Sequence, residues 1–270
     1  MWKKLALGVV GFSALQGLNL IKPFKIISDN LPKTEFERIS FKTQDGIEIA
    51  GWWIPSDSNA TIIIGHGYPF DKGNIYTATK WLSPSYNLLY YDHRSFGESK
   101  GRITTGGVRE VKDVEAAVDF AQTKTKGPIG LFGFSLSAAA MLMADHSQVK
   151  ALVADSTYAS LGNIIDHIYS VFGPLKLPFV MTTEVLGRIF LGPNPPSPAK
   201  AIAKTSVPIL IIHGKKDTQI PVENAYQLFQ AANKETTELI LFDSGDHGQS
   251  LVIPSIRKSI AKFFNRSLYH

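Results

Sequence analysis

The sequence has no cysteine. That one absence excludes disulfides, thiolate metal sites and a cysteine nucleophile. It leaves the redox compartment open, because exported proteins also do without the residue. There is no block of like charge either. The 28 Lys and Arg and 23 Asp and Glu are scattered, and their formal balance is +5. A solvated surface accounts for that balance, and no nucleic-acid partner is implied. Internal repeats, a Gly-X-Y period and sustained heptads are all missing, which excludes collagen-like and coiled-coil architectures. What remains is globular: 270 residues, 44% hydrophobic, 19% charged, with 22 Gly and 15 Pro. Disorder over most of the length is incompatible with that composition. The length suits one large domain or two small ones.

The N-terminus stands apart. After Met1-Trp2-Lys3-Lys4, residues 5–21 (LALGVVGFSALQGLNLI) carry no charge, and Lys22-Pro23 ends the run. The run exceeds the about 7–15 residues of a signal-peptide core and falls short of the roughly 20 residues of a spanning helix. Ser13, Gln16 and Asn19 recur every three residues and form one slanted polar stripe on a helix. No small-x-small cleavage site follows the run. Residues 1–25 therefore read as an uncleaved anchor that makes the protein membrane-associated. The alternatives are a cleaved signal segment, leaving a secreted or periplasmic protein, and a helix packed on the domain. Lysines on both sides of the run give no orientation.

From residue 30 to 270 the pattern is that of one domain. Arg38 to Thr43 and Glu48 to Ile54 are β-rich and flank Asp45-Gly46, a hairpin-turn signal. Short apolar runs follow at 61–65, 87–91, 129–132, 151–154, 209–212 and 239–242. Helical periodicity lies between or after them at 107–124, 135–146, 224–232 and 253–264. Continuous apolar strands separated by helices predict a mostly parallel, twisted α/β sheet of about eight strands, covered on both faces. Tyr158 to about Thr205 breaks the rhythm with helix-like pieces and the Pro-rich GPNPPSP. It has the size of a short helical cap over the C-terminal edge of the sheet.

The chemistry centres on IGLFGFSLSA, residues 129–138. A buried strand ends at Gly133 and a helix starts just after Ser135. A serine at such a turn adopts a strained backbone, so the residues two before and two after must be small; Gly133 and Ser137 are. The turn sets the hydroxyl on a helix N-terminus, where amides stabilise negative charge. The segment resembles the nucleophile elbow of the α/β-hydrolases, G-x-S-x-G, with Ser137 in place of the last glycine. A serine hydroxyl is a weak nucleophile and needs a base held in one tautomer by a third group. The family's chain order is Ser, acid, His. HGKKDTQIP at 213–221 is similar to the family's H-G-x-x-D-x-x-x-P loop, and Asp217 falls on the acid. SGDHG at 244–248 is similar to its G-x-H-G loop, and His247 falls on the base.

GHGY at 65–68 resembles the family's oxyanion loop. The resemblance assigns two backbone N–H donors for the oxyanion, those of Tyr68 and of Leu136, the residue after the nucleophile. DHRSFGES at 92–99 is similar to the D-x-R-G-x-G-x-S segment, and Asp92 and Arg94 are expected to brace the loop rather than catalyse. His213 is expected to be structural, and Asp246, next in sequence to His247, to be too close to serve as its acid. The resemblance runs from about Phe41 to Phe264. Within the family it lies nearest the membrane-linked, short-capped hydrolases related to the Bem46 and ABHD13 proteins.

It implies a serine hydrolase acting on carboxylic esters, lipid-like esters or thioesters included, with no metal and no organic cofactor. The same machinery serves a peptidase or an acyltransferase, and a non-catalytic binding protein can share the fold. Ser135 excludes the dehalogenases and epoxide hydrolases, which need Asp at the elbow. The cap is rich in Ile, Leu, Val and Phe. Most of these are expected to pack on the rim of the sheet, and the excess to line an apolar pocket for an acyl chain.

Overall fold

The computed structural model describes residues 8, 10–15, 21–243 and 245–269. Most of the uncharged run is outside them, and among the described residues no helix is long and apolar enough to cross a membrane.

Eight strands form one sheet: β1 (Glu37–Lys42), β2 (Glu48–Ile54), β3 (Thr61–Gly65), β4 (Asn87–Tyr91), β5 (Ile129–Phe134), β6 (Ala151–Asp155), β7 (Ile209–Gly214) and β8 (Thr237–Phe242). Their order is β1-β2-β4-β3-β5-β6-β7-β8. β2 pairs antiparallel with both neighbours, and every pairing from β4 to β8 is parallel. This is the α/β-hydrolase fold. Asp45-Gly46 makes the β1–β2 turn, with Gly46 at φ +81°, a conformation that favours glycine.

The continuous apolar runs follow from burial on two sides. Ile62, Ile64, Leu88 and Tyr90 pack on one face with α1 (Lys72–Thr79) and α8 (Pro254–Tyr269). Ile63, Leu89, Tyr91 and Leu131 pack on the other with α2 (Val111–Lys124), α3 (Leu136–Met143) and α7 (Glu223–Ala231). Alternate side chains of one strand thus enter different cores. α8 lies so close to β5 that a Cβ on Gly130 would sit 2.9 Å from the Phe264 ring. Removing that buried ring by Phe264→Ala would cost ~3–5 kcal/mol.

Between β6 and β7 the chain leaves the sheet and builds the cap: α4 (Leu161–Ile168), a 3-10 stretch (Tyr169–Lys176), α5 (Leu177–Leu191) and α6 (Pro198–Ile202). Its apolar side chains depart from expectation. Val180 is the only buried residue of α5, and α4 has none. The physical reason is geometry: an inserted helical layer touches the rim of the sheet along one edge only. Tyr169, Phe172 and Phe179 instead stack on one another. α2 also begins later than the periodicity predicts. The Glu110 carboxylate accepts hydrogen bonds from Thr104 Oγ1, from the N–H and Oγ1 of Thr105, and from the N–H of Gly107, holding that stretch as a turn.

Candidate active site

β5 runs straight into Ser135, which sits at φ 54°, ψ −110° before the first turn of α3. A non-glycine residue there is strained and persists only where its surroundings fix it. Here three bonds do so. The Ser135 N–H donates to Asp155 O (2.8 Å), and its carbonyl accepts from Thr157 Oγ1 (2.8 Å) and Ala139 N–H (3.1 Å). The smallness demanded two residues earlier is literal, because a Cβ on Gly133 would lie 2.5 Å from the backbone of Ala138.

The three side chains meet. His247 Nε2 lies 3.1 Å from Ser135 Oγ, and His247 Nδ1 lies 2.8 Å from Asp217 Oδ2. Asp217 Oδ1 is occupied by the amides of Gln219 (3.0 Å) and Ile220 (2.8 Å), which aims the other oxygen at the imidazole. A carboxylate facing Nδ1 selects the tautomer with its proton there and leaves the Nε2 lone pair on the hydroxyl. Phe134 backs the imidazole, with ring centroids 4.9 Å apart. All three groups are almost wholly buried. In chemical terms this is an alkoxide generator.

The alternatives at these loops have other partners. Asp246 Oδ1 accepts the N–H and hydroxyl of Thr218 and the backbone N–H of His247, never its ring. His213 Nε2 donates to Ile220 O (2.8 Å), its nearer partner, and lies 3.4 Å from Asp217 Oδ2 on the side away from Ser135; burial lowers its pKa. Arg94 bridges Asp113 and Asp45. Asp92 holds the buried Lys72 ammonium at 2.6 Å, and that ammonium also meets Glu98 at 2.6 Å and lies over the Trp52 ring. Asp92 and Arg94 therefore brace the loop.

Gly65–Tyr68 leaves the end of β3 beside the elbow. A Cβ on Gly67 would lie 3.1 Å from Ser135 Cβ. His66 is wholly buried and neutral, since burial first, then the neighbouring His93, lowers its pKa to about 4. Its Nδ1–H donates to Gly67 O (2.9 Å), and its Nε2 accepts the N–H of His93 (3.0 Å). Carbonyl and N–H point to opposite sides of a trans peptide. Tying the Gly67 carbonyl to the His66 ring thus turns the Tyr68 N–H the other way. Leu136 opens α3, so its N–H belongs to the first turn, where helix geometry offers no acceptor.

One group is more than its sequence reading. Ser137 is more than a small residue. It is fully buried, its hydroxyl donates to His66 O (2.6 Å), and it accepts from His93 Nε2 (2.6 Å). His93 Nδ1 in turn faces Asp113 Oδ2 (3.3 Å). A second chain, Asp113–His93–Ser137, thereby ties the elbow to the Gly65–Tyr68 loop. The available signal was a hydroxyl where the motif has glycine: buried, it must find partners. Among the described residues no group of three or more His, Asp or Glu is placed to hold a metal ion.

Comparison with known proteins places the fold among hydrolases. The family model described as X-Pro dipeptidyl-peptidase (S15 family) matches residues 37–191, more than half of the chain. The Escherichia coli (strain K12) protein YfhR is 30% identical over 226 residues, covering 78% of this chain and 73% of that one. The thiohydrolase apmlB of Arthrinium phaeospermum is 33% identical over 128 residues, 44% of this chain and 42% of its own. Among solved structures, a Pyrococcus furiosus esterase superposes with a TM-score of 0.77 at 25% identity, covering 93% of this chain and 99% of that one. The chain is a hydrolase of the α/β fold and belongs to the family described as X-Pro dipeptidyl-peptidase (S15 family).

Proposed function

We propose that this protein is a serine esterase that cleaves carboxylic esters through an acyl-enzyme. The observation that carries the proposal is the unbroken chain from Ser135 Oγ through His247 to Asp217. Ser135 Oγ attacks the ester carbonyl carbon while His247 Nε2 takes its proton, and Asp217 stabilises the imidazolium. The Leu136 and Tyr68 N–H groups hold the tetrahedral oxyanion. Collapse breaks the bond to the leaving alcohol, which takes the proton from His247. Water then attacks the acyl-enzyme by the same route in reverse, returning the acid and free Ser135.

The ester is favoured over an X-Pro peptide by charge. A dipeptidyl-peptidase must hold a free amine, and that needs an available carboxylate near the serine. The carboxylates of the cap, Asp166 and Glu184, are paired with Lys176 and Arg188. Glu110 and Asp155 are buried within internal hydrogen bonds. Ala139, Tyr158 and Ile220 pack with Leu161 and Ile164 into one apolar cluster that joins the elbow helix to the cap, surroundings that favour a neutral acyl group over a free amine. The esterase and thiohydrolase among the similar proteins support this reading, and a thioester would follow the same steps.

Specificity constants on p-nitrophenyl esters of graded chain length, beside Ala-Pro-p-nitroanilide, test it. The esters are expected to be preferred by ~100-fold or more, with Ser135→Ala at background on all of them. Faster cleavage of the anilide would make the protein a dipeptidyl-peptidase instead.

A further inference from the structure

Asp155 closes β6 as a wholly buried carboxyl, and the reaction of Ser135 gives its side chain no part. Both of its oxygens are met by hydroxyls, Oδ2 by Ser250 Oγ at 2.5 Å and Oδ1 by Ser156 Oγ at 3.0 Å. Neither oxygen meets the His247 ring, whose Nδ1 is held by Asp217. The ionisable groups whose charge it feels are the His247 imidazole and the Asp217 carboxylate. A carboxylate is costly to bury on hydroxyl donors alone, and groups of this kind gather at functional sites.

What the residue touches supplies the reason. By its main chain it holds the nucleophile, since its carbonyl accepts the Ser135 N–H at 2.8 Å. By its side chain it holds the loop of the base. Ser250 follows His247 by three residues, in the 3-10 turn Gln249–Val252, and is itself wholly buried. The next two residues close the same clasp. Ser156 sits at φ 51°, strained for a non-glycine residue, and its N–H donates to Ile212 O of β7 (2.8 Å), the strand that leads to Asp217. Thr157 Oγ1 donates to Ser135 O at 2.8 Å. Residues 155–157 thus bind the elbow, the strand before the acid and the loop after the base.

We propose that Asp155 is a positioning residue of the triad: its carbonyl fixes Ser135, and its carboxylate fixes His247 through Ser250. The inference rests on the esterase reading of Ser135. One rigid residue then sets the separation between the oxygen that attacks and the imidazole that takes its proton, the kind of precision on which the rate of such a step depends. The carboxylate has a second effect. A negative charge buried beside the base stabilises the imidazolium that forms during the attack.

Two variants of the full chain separate the hydrogen bond from the charge, with circular dichroism to report that each is folded. Ser250→Ala keeps the charge and loses the link to the histidine loop. Its kcat on p-nitrophenyl acetate is expected to fall about tenfold with KM within about twofold, and its labelling by a fluorophosphonate to slow in proportion. The acid limb of its pH profile should stay where the wild type has it. Asp155→Asn keeps the shape and an acceptor for Ser250 and loses the charge. The acid limb of its kcat/KM is expected to move to lower pH by roughly half a unit, because the imidazolium loses a stabilising anion. Three results overturn the proposal: a wild-type kcat in Ser250→Ala, a loss there carried by KM alone, or an acid limb in Asp155→Asn that coincides with that of the wild type. If the wild type is labelled while both variants match it, only the role of Asp155 falls. If the wild type takes no fluorophosphonate at all, the esterase reading falls and this inference with it.

Discussion

Ser137 stands where the elbow motif of the family has glycine, and its hydroxyl joins two loops that must keep register during the reaction. It holds the His66 carbonyl, and the His66 ring holds the carbonyl of Gly67. Loss of the hydroxyl frees the peptide that carries the Tyr68 N–H. Ser137→Ala is therefore expected to lower kcat by about tenfold with KM unchanged, a fraction of the ~10²–10³ lost with a whole oxyanion donor. Affinity for a boronic acid, which takes up the tetrahedral geometry, should fall in parallel. A proportional rise in KM would show that Ser137 acts on substrate binding instead. The conservative change to the motif's own residue, Ser137→Gly, is not neutral here, because it takes the hydroxyl from His66 O and leaves His93 Nε2 only the Tyr91 hydroxyl at 3.4 Å, at a cost of ~1–3 kcal/mol. At this scale the sequence was legible for Ser135, Asp217 and His247, whose identities and order carry their chemistry. It showed Ser137 only as a small residue with an unexplained hydroxyl, and it was silent on the roles of His66 and His93, whose work lies in long-range hydrogen bonds.

At the scale of elements, the ends of strands and helices are set by buried polar groups. β6 ends at Asp155, wholly buried, with Ser250 Oγ at 2.5 Å and Ser156 Oγ at 3.0 Å. Burial raises its pKa from 3.8 to about 6. A folded-state pKa above the unfolded one means the native state binds the proton more tightly. The stability from this group is thus full below about pH 4 and is lost as the pH rises through about 6. Asp155→Asn removes that dependence. Relative to wild type, the variant should gain roughly 2 kcal/mol in stability between pH 4 and pH 7, read from urea unfolding at each pH. A constant difference across that range would show that Asp155 stays ionised or solvated. Element legibility followed the same division. The strands were readable because apolar runs buried on both faces are continuous. α1 was missed because KGNIYTAT has weak apolar periodicity; a capping box fixes its start, with Asp71 Oδ1 accepting Asn74 N–H and Asn74 Oδ1 accepting Asp71 N–H.

At the scale of the molecule, one sheet brings three distant loops to a common edge. Ser135 follows β5, Asp217 follows β7 and His247 follows β8, and parallel pairing puts those ends side by side. The mostly parallel sheet of eight strands was therefore legible from the alternation of apolar runs and helices, whereas the exchange of β3 and β4 in its order was not. The cap was not. Its apolar residues were expected on the rim of the sheet, and several of them face outward instead. Amphipathic periodicity reports that a face seeks an apolar contact, without saying whether protein or lipid supplies it.

The central claim is that Ser135 becomes acylated with His247 as its base. A fluorophosphonate offered to the purified protein, followed by peptide mass mapping, tests it most directly. The account predicts one adduct, on the Ser135 peptide, formed by the wild type and lost in both Ser135→Ala and His247→Ala. A folded wild type that takes up no adduct, or one that labels equally well without His247, would contradict it.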